Sequence, residues 1–398
     1  MAKHSKRLSH PFLYHLLKTI FRPIAYFHYG YRYKDKYKIG KDEKLLILSN
    51  HQTDLDPLLL HLSLNKFTHC LATDTIFTSK GRTKFLRYLG IIPKRKGTTD
   101  VASVVEMMRV MNNGDSVTIF AEGNRSYAEF QFPIDDGLAK LAKKIKCNIM
   151  LFNIHGGFGK YPRIGNKPRR GKFYGEIKRI LKYDEYKDMD DAELSKLIKD
   201  NLRVIDAESG NLYKSKRRAE YFERLFFICP KCGAVQSIYS KGSHIKCSKC
   251  DFDIEYGEDL KLHSLDPVIK YTKLVDWYDY QIDFINKHDY SKDKIIFKDR
   301  VNKMYIVIPF KDKKNLVRKA DLVLTSKEVI VGKYKFPLSD IEIASPVSNR
   351  KLCFTINGEN YVVRGNKKFN AIKYVLLFNV LDTKMKRENT DIYYKARS

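Results

Sequence analysis

The sequence predicts a layered α/β domain, then a four-cysteine metal ribbon, then a small, mostly-β domain closed by a helix. Three observations carry that expectation. From Lys44 to about Leu225 short apolar runs alternate with helical patterns, as strands and helices stacked in layers require. Four of seven cysteines fall in two Cys-x-x-Cys pairs, a spacing that holds a metal in a reducing compartment. Beyond about residue 290 the chain breaks into short strand-like runs with turn residues between them. A length of 398 residues exceeds one ordinary core, and 43% hydrophobic with 30% charged residues is a globular composition. The expected parts are a membrane-association helix in 1–30, the α/β domain in 31–225, the ribbon in 226–258, and a helix plus β domain in 259–398.

The first segment, residues 10–31, places Leu13, Leu16, Leu17, Ile20 and Ile24 at helical spacing with Phe12, Tyr14, Phe21, Tyr26 and Phe27 around them. His15, Lys18 and Arg22 interrupt it, and no stretch reaches the roughly 18–20 apolar residues of a membrane span. Neither a spanning helix nor a secretory signal fits. The pattern suits a helix lying in a bilayer interface with its basic residues toward lipid phosphate, and equally one docked on its own domain.

In the α/β region, residues 44–49, 116–121 and 147–154 read as buried strands, and 101–114 as a helix closed by Gly114. Residues 135–145 read as a helix with Asp135 or Asp136 to cap it, and the segments beginning at Asp191 and Lys214 as polar-faced helices. The knuckles of Cys229, Cys232, Cys247 and Cys250 are separated by 14 residues, close to structural-zinc spacing, and a closed four-thiolate shell leaves no position open for chemistry. His244 then reads as a loop residue, and Cys70, Cys147 and Cys353 as buried thiols. After a helix at 266–288, six strand-like segments follow, with a hairpin signal at Asn357-Gly358, and the helix at 369–384 ends the order. Such a strand set with a terminal helix resembles, weakly, small pleckstrin-homology-like domains, which implies a second membrane or protein contact.

Seventy-five Lys and Arg against 46 Asp and Glu leave a net charge of +29, which favours an anionic partner: nucleic acid, anionic lipid or a phosphorylated substrate. The basic residues are spread over all segments and no base-reading motif appears, which disfavours nucleic acid. Three polar loops narrow the choice. In residues 46–60 His51 follows a strand end and Asp56 lies five residues on, before Pro57. A histidine takes a proton near neutral pH, and a carboxylate on its other ring nitrogen fixes the tautomer. Asp56 reads equally as a helix cap, and Asp54 competes for the histidine. The loop at 119–126 carries Glu122, Gly123, Arg125 and Ser126, and that at 88–99 carries Gly90, Lys94, Arg95, Lys96 and Gly97. Glycine-freed amides and a guanidinium suit phosphate, although such loops are common as solvated surface.

In this order the three loops resemble the motifs of the membrane-associated glycerolipid acyltransferases that make phosphatidate from lysophosphatidate. Asn50, His51 and Asp56 match the Asn-His-four residues-Asp motif, Gly90 to Arg95 the second motif, and Glu122, Gly123, Arg125 and Ser126 the third. Asn124 replaces the family's usual threonine, Ala121 its proline, Pro93 a phenylalanine, and Asn153 the proline of the fourth motif. The likeness spans about residues 30 to 220. It implies a mixed sheet with helices on its faces, His51 as general base oriented by Asp56, and Arg95 and Arg125 on the acceptor's phosphate. Gly90, Glu122, Gly123 and Ser126 would shape that pocket. The expected reaction moves an acyl group from acyl-CoA or acyl carrier protein to a lysophospholipid, most simply 1-acylglycerol-3-phosphate, at the inner face of the cell membrane, with zinc in the ribbon. A zinc-ribbon nucleic-acid binder and a non-catalytic lipid-binding scaffold are the rival expectations.

Overall fold

The computed structural model describes residues 11–34, 37–77, 79–94, 100–127, 131, 134–290, 294–307 and 313–381. It divides into two compact units.

The first unit holds the described residues of Met1–Ser126, Gln131–Lys160 and Gly171–Asp206. Its sheet has seven strands, β1 (Tyr31–Tyr33), β2 (Leu45–Ser49), β3 (Thr68–Thr73), β4 (Ile91–Lys94), β5 (Ser116–Phe120), β6 (Asn148–His155) and β7 (Phe173–Leu181), in the order β1-β7-β6-β2-β5-β3-β4. The sheet is mixed: β2 pairs in parallel with β5 and β6, and β3 with β4 and β5, while β7 runs antiparallel to β6. The helices are α1 (Pro11–Phe27), α2 (Asp56–Ser63), α3 (Lys80–Tyr88), α4 (Val101–Asn112), α5 (Gly137–Ile145), the single turns α6 (Gly157–Lys160) and α7 (Tyr183–Tyr186), and α8 (Asp191–Leu202).

β2 is an unbroken apolar run because both its faces are covered. Leu46 and Leu48 join Val117, Ile149 and Leu151 in a core completed by Met107 of α4, Ala139 and Ala142 of α5, and Leu194 and Ile198 of α8. Leu45 and Ile47 alternate to the opposite face and are equally buried. α4 starts where Asp100 caps the Ser103 amide, and α8 where Asp190 accepts from Glu193. At α5 the expected cap is displaced. Asp135 Oδ1 accepts the Gly137 amide at 2.8 Å, and Asp136 makes no capping bond. Since β2 and β5 run parallel with Ser49 opposite Phe120, their following loops emerge side by side at one edge of the sheet. Ligand sites of such sheets lie outside those strand ends.

α1 docks on its own domain, one of the two roles its pattern allowed, in an arrangement that pattern did not foretell. Tyr14 is buried and donates to the carbonyls of His61 (2.7 Å) and Leu64 (3.1 Å), while Arg22 Nε donates to Leu62 O at 3.0 Å. Lys18 is buried too and faces the protein, while Arg22 stays exposed apart from its Nε bond. Also exposed is the apolar stripe Leu16, Ile20, Ile24 and Phe27, with Ile20 at 52% and Phe27 at 82%.

The second unit holds the described residues of Tyr127–Phe130, Tyr161–Arg170 and Ala207–Ser398. The units therefore divide after Asp206, earlier than the boundary at 225 expected from sequence. Tyr213 N bonds Glu258 O, and the Arg224 guanidinium reaches Ile164 O and Lys367 O, which commits this segment to the second unit. Residues 214–228 are also not the expected helix. Only a 3-10 turn, Phe222–Arg224, forms, because Phe222, Leu225, Phe226 and Phe227 are all buried and tertiary packing overrides the local preference. Phe226 stacks on Trp277 at 4.1 Å, and the indole donates to Ile228 O at 3.0 Å.

The ribbon is an antiparallel sheet of β8 (Ile238–Lys241), β9 (His244–Cys247), β10 (Asp253–Tyr256) and β11 (Leu262–His263). The following helix, α9 (Leu274–Lys287), begins eight residues later than expected. Asp266 is engaged by Lys231 and the Val268 amide, and Thr272 O accepts from Leu262, so 266–273 belong to the ribbon's edge. Seven strands then form one sheet: β12 (Phe297–Val307), β13 (Lys314–Leu324), β14 (Glu328–Val331), β15 (Tyr334–Pro337), β16 (Ile343–Val347), β17 (Lys351–Ile356) and β18 (Glu359–Gly365), ordered β15-β14-β13-β12-β18-β17-β16. Residues 308–310 of the expected first strand lie outside the described residues. The Asn357-Gly358 turn joins β17 and β18 with φ of +50° and +72°, as a two-residue hairpin requires. The last helix, α10 (Ile372–Leu381), lies against β16 and β17.

Candidate active site

The loop after β2 folds around one carboxylate. Asp56 is the first residue of α2 and is fully buried, yet it does not cap that helix. Its Oδ2 accepts from the amides of Gln52 (2.7 Å) and Thr53 (2.8 Å) and lies 2.8 Å from His51 Nδ1, while Oδ1 accepts the Thr53 hydroxyl at 2.5 Å. A carboxylate with three backbone or hydroxyl donors cannot swing away from the imidazole. Asp54, the competing partner, instead pairs with Arg125 at 2.8 Å.

The loop after β5 braces the histidine from the other side. Glu122 Oε1 accepts the His51 amide at 2.9 Å and Oε2 the Ser126 hydroxyl at 3.2 Å, while the Ser126 amide donates to His51 O at 3.1 Å. Both glutamate oxygens thus bond inside the protein, and Glu122 struts the two loops together. The His51 ring stacks on Phe120 at 4.4 Å and 29°, and its side chain stays 19% exposed. With Nδ1 held by Asp56, Nε2 is the nitrogen left to exchange a proton. Gly123 takes φ +61°, a left-handed turn that ordinary side chains resist, and stands exposed above the loop.

Arg125 is 14% exposed and Asp54 79%, so one face of this ion pair is open to solvent. Gly90 turns the chain between α3 and β4 with φ +70°, and a Cβ there would lie 2.5 Å from the Phe67 ring. That close approach and the positive φ both call for glycine here. Arg95 lies outside the described residues.

Contacts the sequence reading did not foresee complete the frame. Asn50 donates to Ile154 O (2.9 Å) and accepts from Ile154 N (2.8 Å), tying the end of β2 to β6. Gln52 Oε1 accepts from the Gly157 amide at 2.9 Å, and the buried Asp206 carboxylate accepts from Gly156 and Gly159 at 2.7 and 2.8 Å. Burial pushes the Asp206 carboxyl above its ordinary range, against those two bonds. No short motif announces these contacts, because their partners lie some 50 to 105 residues away.

In the second unit the four cysteines converge as their spacing predicts. The Sγ atoms lie within 4.8 Å of one another, with Cys229 and Cys250 at 3.6 Å and Cys232 and Cys247 at 3.9 Å. Such separations are far beyond a disulfide and equal the edges of a tetrahedron around a thiolate-bound metal, so the cluster fits one ion. His244 turns to Asp253 at 2.7 Å, outside the cluster.

Residues 30–154 match the family model for acyltransferases, a span that contains His51, Asp56, Glu122 and Arg125. Among solved structures, the 1-acyl-sn-glycerophosphate (LPA) acyltransferase PlsC from Thermotoga maritima is similar at 18% identity, covering 48% of this chain and 77% of that chain with a TM-score of 0.42. No curated protein matches the chain.

Proposed function

With residues 30–154 an acyltransferase-family domain, we propose that the chain transfers a fatty acyl group from a thioester to the free hydroxyl of a lysophospholipid, 1-acylglycerol-3-phosphate first among them. The observation that carries the reading is the 2.8 Å bond between His51 Nδ1 and a buried, fully engaged Asp56. His51 Nε2 takes the proton of the acceptor hydroxyl as its oxygen attacks the thioester carbonyl. The new C–O bond forms, the tetrahedral intermediate expels the thiolate, and the imidazolium returns the proton to sulfur. Asp56 stabilises that imidazolium and keeps Nε2 facing the reactants. No nucleophilic serine or cysteine enters the scheme.

Arg125 is the acceptor's phosphate ligand in this scheme: its exposed bond to Asp54 is one that a dianion can displace, since phosphate offers more oxygens and more charge to the guanidinium. Arg95 keeps the same role on the motif match alone. Glu122, Ser126 and Gly123 hold the loop's shape, and Gly90 the turn before β4. Acyl-CoA and acyl carrier protein both serve as donors in principle, and zinc is the metal whose chemistry fits four thiolates, with a structural role.

The exposed stripe of α1 supports peripheral attachment to the cytoplasmic face of the membrane, apolar side chains entering the acyl boundary and the basic surface meeting anionic lipid. No helix among the described residues is long and apolar enough to cross a membrane. The order of the seven-stranded sheet with its terminal helix supports the pleckstrin-homology-like reading of the last domain.

The test is to incubate purified protein on anionic vesicles with a panel of lysophospholipids and both donors, following diacyl product by mass. Product from lysophosphatidate that falls roughly 10²- to 10⁴-fold in His51→Ala, with the melting temperature unchanged, is the expected result. Product from another acceptor replaces the acceptor assignment. A folded His51→Ala protein with full turnover removes the base, and no product from any pair leaves a lipid-binding scaffold.

A further inference from the structure

The sheet of the second unit carries a row of like charges that its own packing does not explain. Arg318 on β13 pairs with Lys303 on β12, Lys303 with Arg364 on β18, and Arg364 with Lys351 on β17. Directly paired residues of antiparallel strands point to the same face with Cβ atoms about 4.5–5.5 Å apart. Four cations therefore stand side by side across four adjacent strands. Each such pair is unfavourable to the sheet, and three follow in succession. A local irregularity creates the middle one: between Val301 and Lys303 the register with β18 slips by one residue, which puts Lys303 opposite Arg364 where an unbroken ladder would put Val363.

Ordinary surface lysines avoid this by standing in solvent beside an acid. Lys298 and Arg300, farther along β12, do so by sharing Asp321. Lys303, Lys351 and Arg364 are half-buried, and among the described residues no carboxylate pairs with any of them or with nearby Arg350. Nε of Arg364 is buried with no hydrogen-bond partner. Lys303 and Lys313 both sit over the Tyr305 ring, 5.4 and 5.3 Å from its centroid. Burial first, and then the charges of Lys313, Arg364, Lys303 and Arg350, hold the Lys351 ammonium below its ordinary range. Lys303, Lys351 and Arg364, half-buried and without a carboxylate partner among the described residues, are poised for an anion of matching charge.

We propose that Lys303, Arg364 and Lys351 form a binding site for a phosphomonoester, with Arg318, Lys313 and Arg350 around it. A phosphomonoester carries close to two negative charges and three terminal oxygens, enough to accept from a guanidinium and two ammonium groups together. A carboxylate or a phosphodiester brings one charge and two free oxygens, and leaves the row uncompensated. None of these residues belongs to the acyltransferase loops, so the site stands whether or not the catalytic reading holds. The phosphomonoester has two sources, a lipid headgroup and a soluble phosphate ester.

The experiment compares the full-length protein with its Lys303→Gln, Arg364→Gln, Lys351→Gln triple variant. One arm measures binding to phosphatidylcholine vesicles containing phosphatidate, or phosphatidylserine at matched surface charge; the other measures glycerol 3-phosphate by calorimetry. Binding at the acyltransferase loops is common to both proteins and cancels. Wild-type preference for phosphatidate over phosphatidylserine, weakened about tenfold or more in the triple variant with an undiminished melting temperature, is the expected result. A loss in the vesicle arm alone assigns a lipid headgroup, and a loss in both arms a soluble ester. Equal binding by the two proteins, or equal wild-type binding to the two anionic vesicles, overturns the site. If the triple variant does not fold, Lys351→Gln against the charge-keeping Lys351→Arg decides the same question: only the first should weaken binding.

Discussion

Asp56 Oδ2 serves three donors at once, the His51 ring and the amides of Gln52 and Thr53. Its effect on the histidine is therefore inseparable from its hold on the loop. Asp56→Asn exchanges one acceptor oxygen for an NH₂ that meets further donors, and a buried mismatch of this kind costs about 1–3 kcal/mol. Turnover should fall roughly 10²-fold or more, because the amide stabilises no imidazolium, and chemical denaturation should show the stability loss. A variant that loses turnover at full stability would mean that the frame around His51 stands without the charge. At this scale the sequence foretold the contact of His51 with Asp56, five residues apart in one loop. It was a poor guide to Glu122, whose matched motif says nothing of a bond to the His51 amide, 71 residues away.

Among the elements, α1 shows how one amphipathic pattern serves two surfaces. Tyr14, Lys18 and the Arg22 Nε dock on the protein while Leu16, Ile20, Ile24 and Phe27 face outward, unlike a helix that simply covers a core. Burial, with Arg22 adding to it, brings the Lys18 ammonium down to about 8 from an ordinary 10.5. The folded protein thus releases this proton at lower pH than the unfolded chain, which binds more protons across that window. The cost of burying the charge is fully present below about 8, and stability rises as pH climbs toward 10.5. Lys18→Met should melt at a higher temperature than wild type near neutral pH, and the gap should narrow through that alkaline window. A gap independent of pH would assign the gain to packing alone. On the outer stripe, Ile20→Asp with Ile24→Asp should lower vesicle affinity about tenfold or more while leaving turnover of detergent-dispersed substrate intact. Unchanged partition onto vesicles would place membrane attachment elsewhere.

At the scale of the whole molecule, the two units rest on different kinds of support. The first is a conventional α/β core of Leu, Ile, Val and Met around β2. In the second, the ribbon's two knuckles are joined through one cluster of thiols, and Phe226, Trp277 and Phe252 pack beside it. Bound metal stabilises such a module by an amount comparable with the whole folding free energy of a small domain. The purified protein should contain one zinc per chain, and chelation should lower the melting temperature of the second unit while leaving that of the first. A protein with no metal and an unaltered melt on Cys229→Ser would show that the ribbon stands on its apolar contacts alone.

What the sequence by itself determined is what spacing along the chain controls. The His51–Asp56 loop, the paired knuckles, the Asn357-Gly358 hairpin and the apolar runs of β2, β5 and β6 each depend on residues a few positions apart, where backbone geometry leaves few choices. Only the tertiary structure decided the clamp of Asn50 on Ile154, the non-helical course of 214–228, the outward turn of α1's apolar stripe, and the row from Arg318 to Lys351. These follow from which strand lies beside which and in what register. A slip of one residue between β12 and β18, invisible in the order of amino acids, is enough to set Lys303 opposite Arg364.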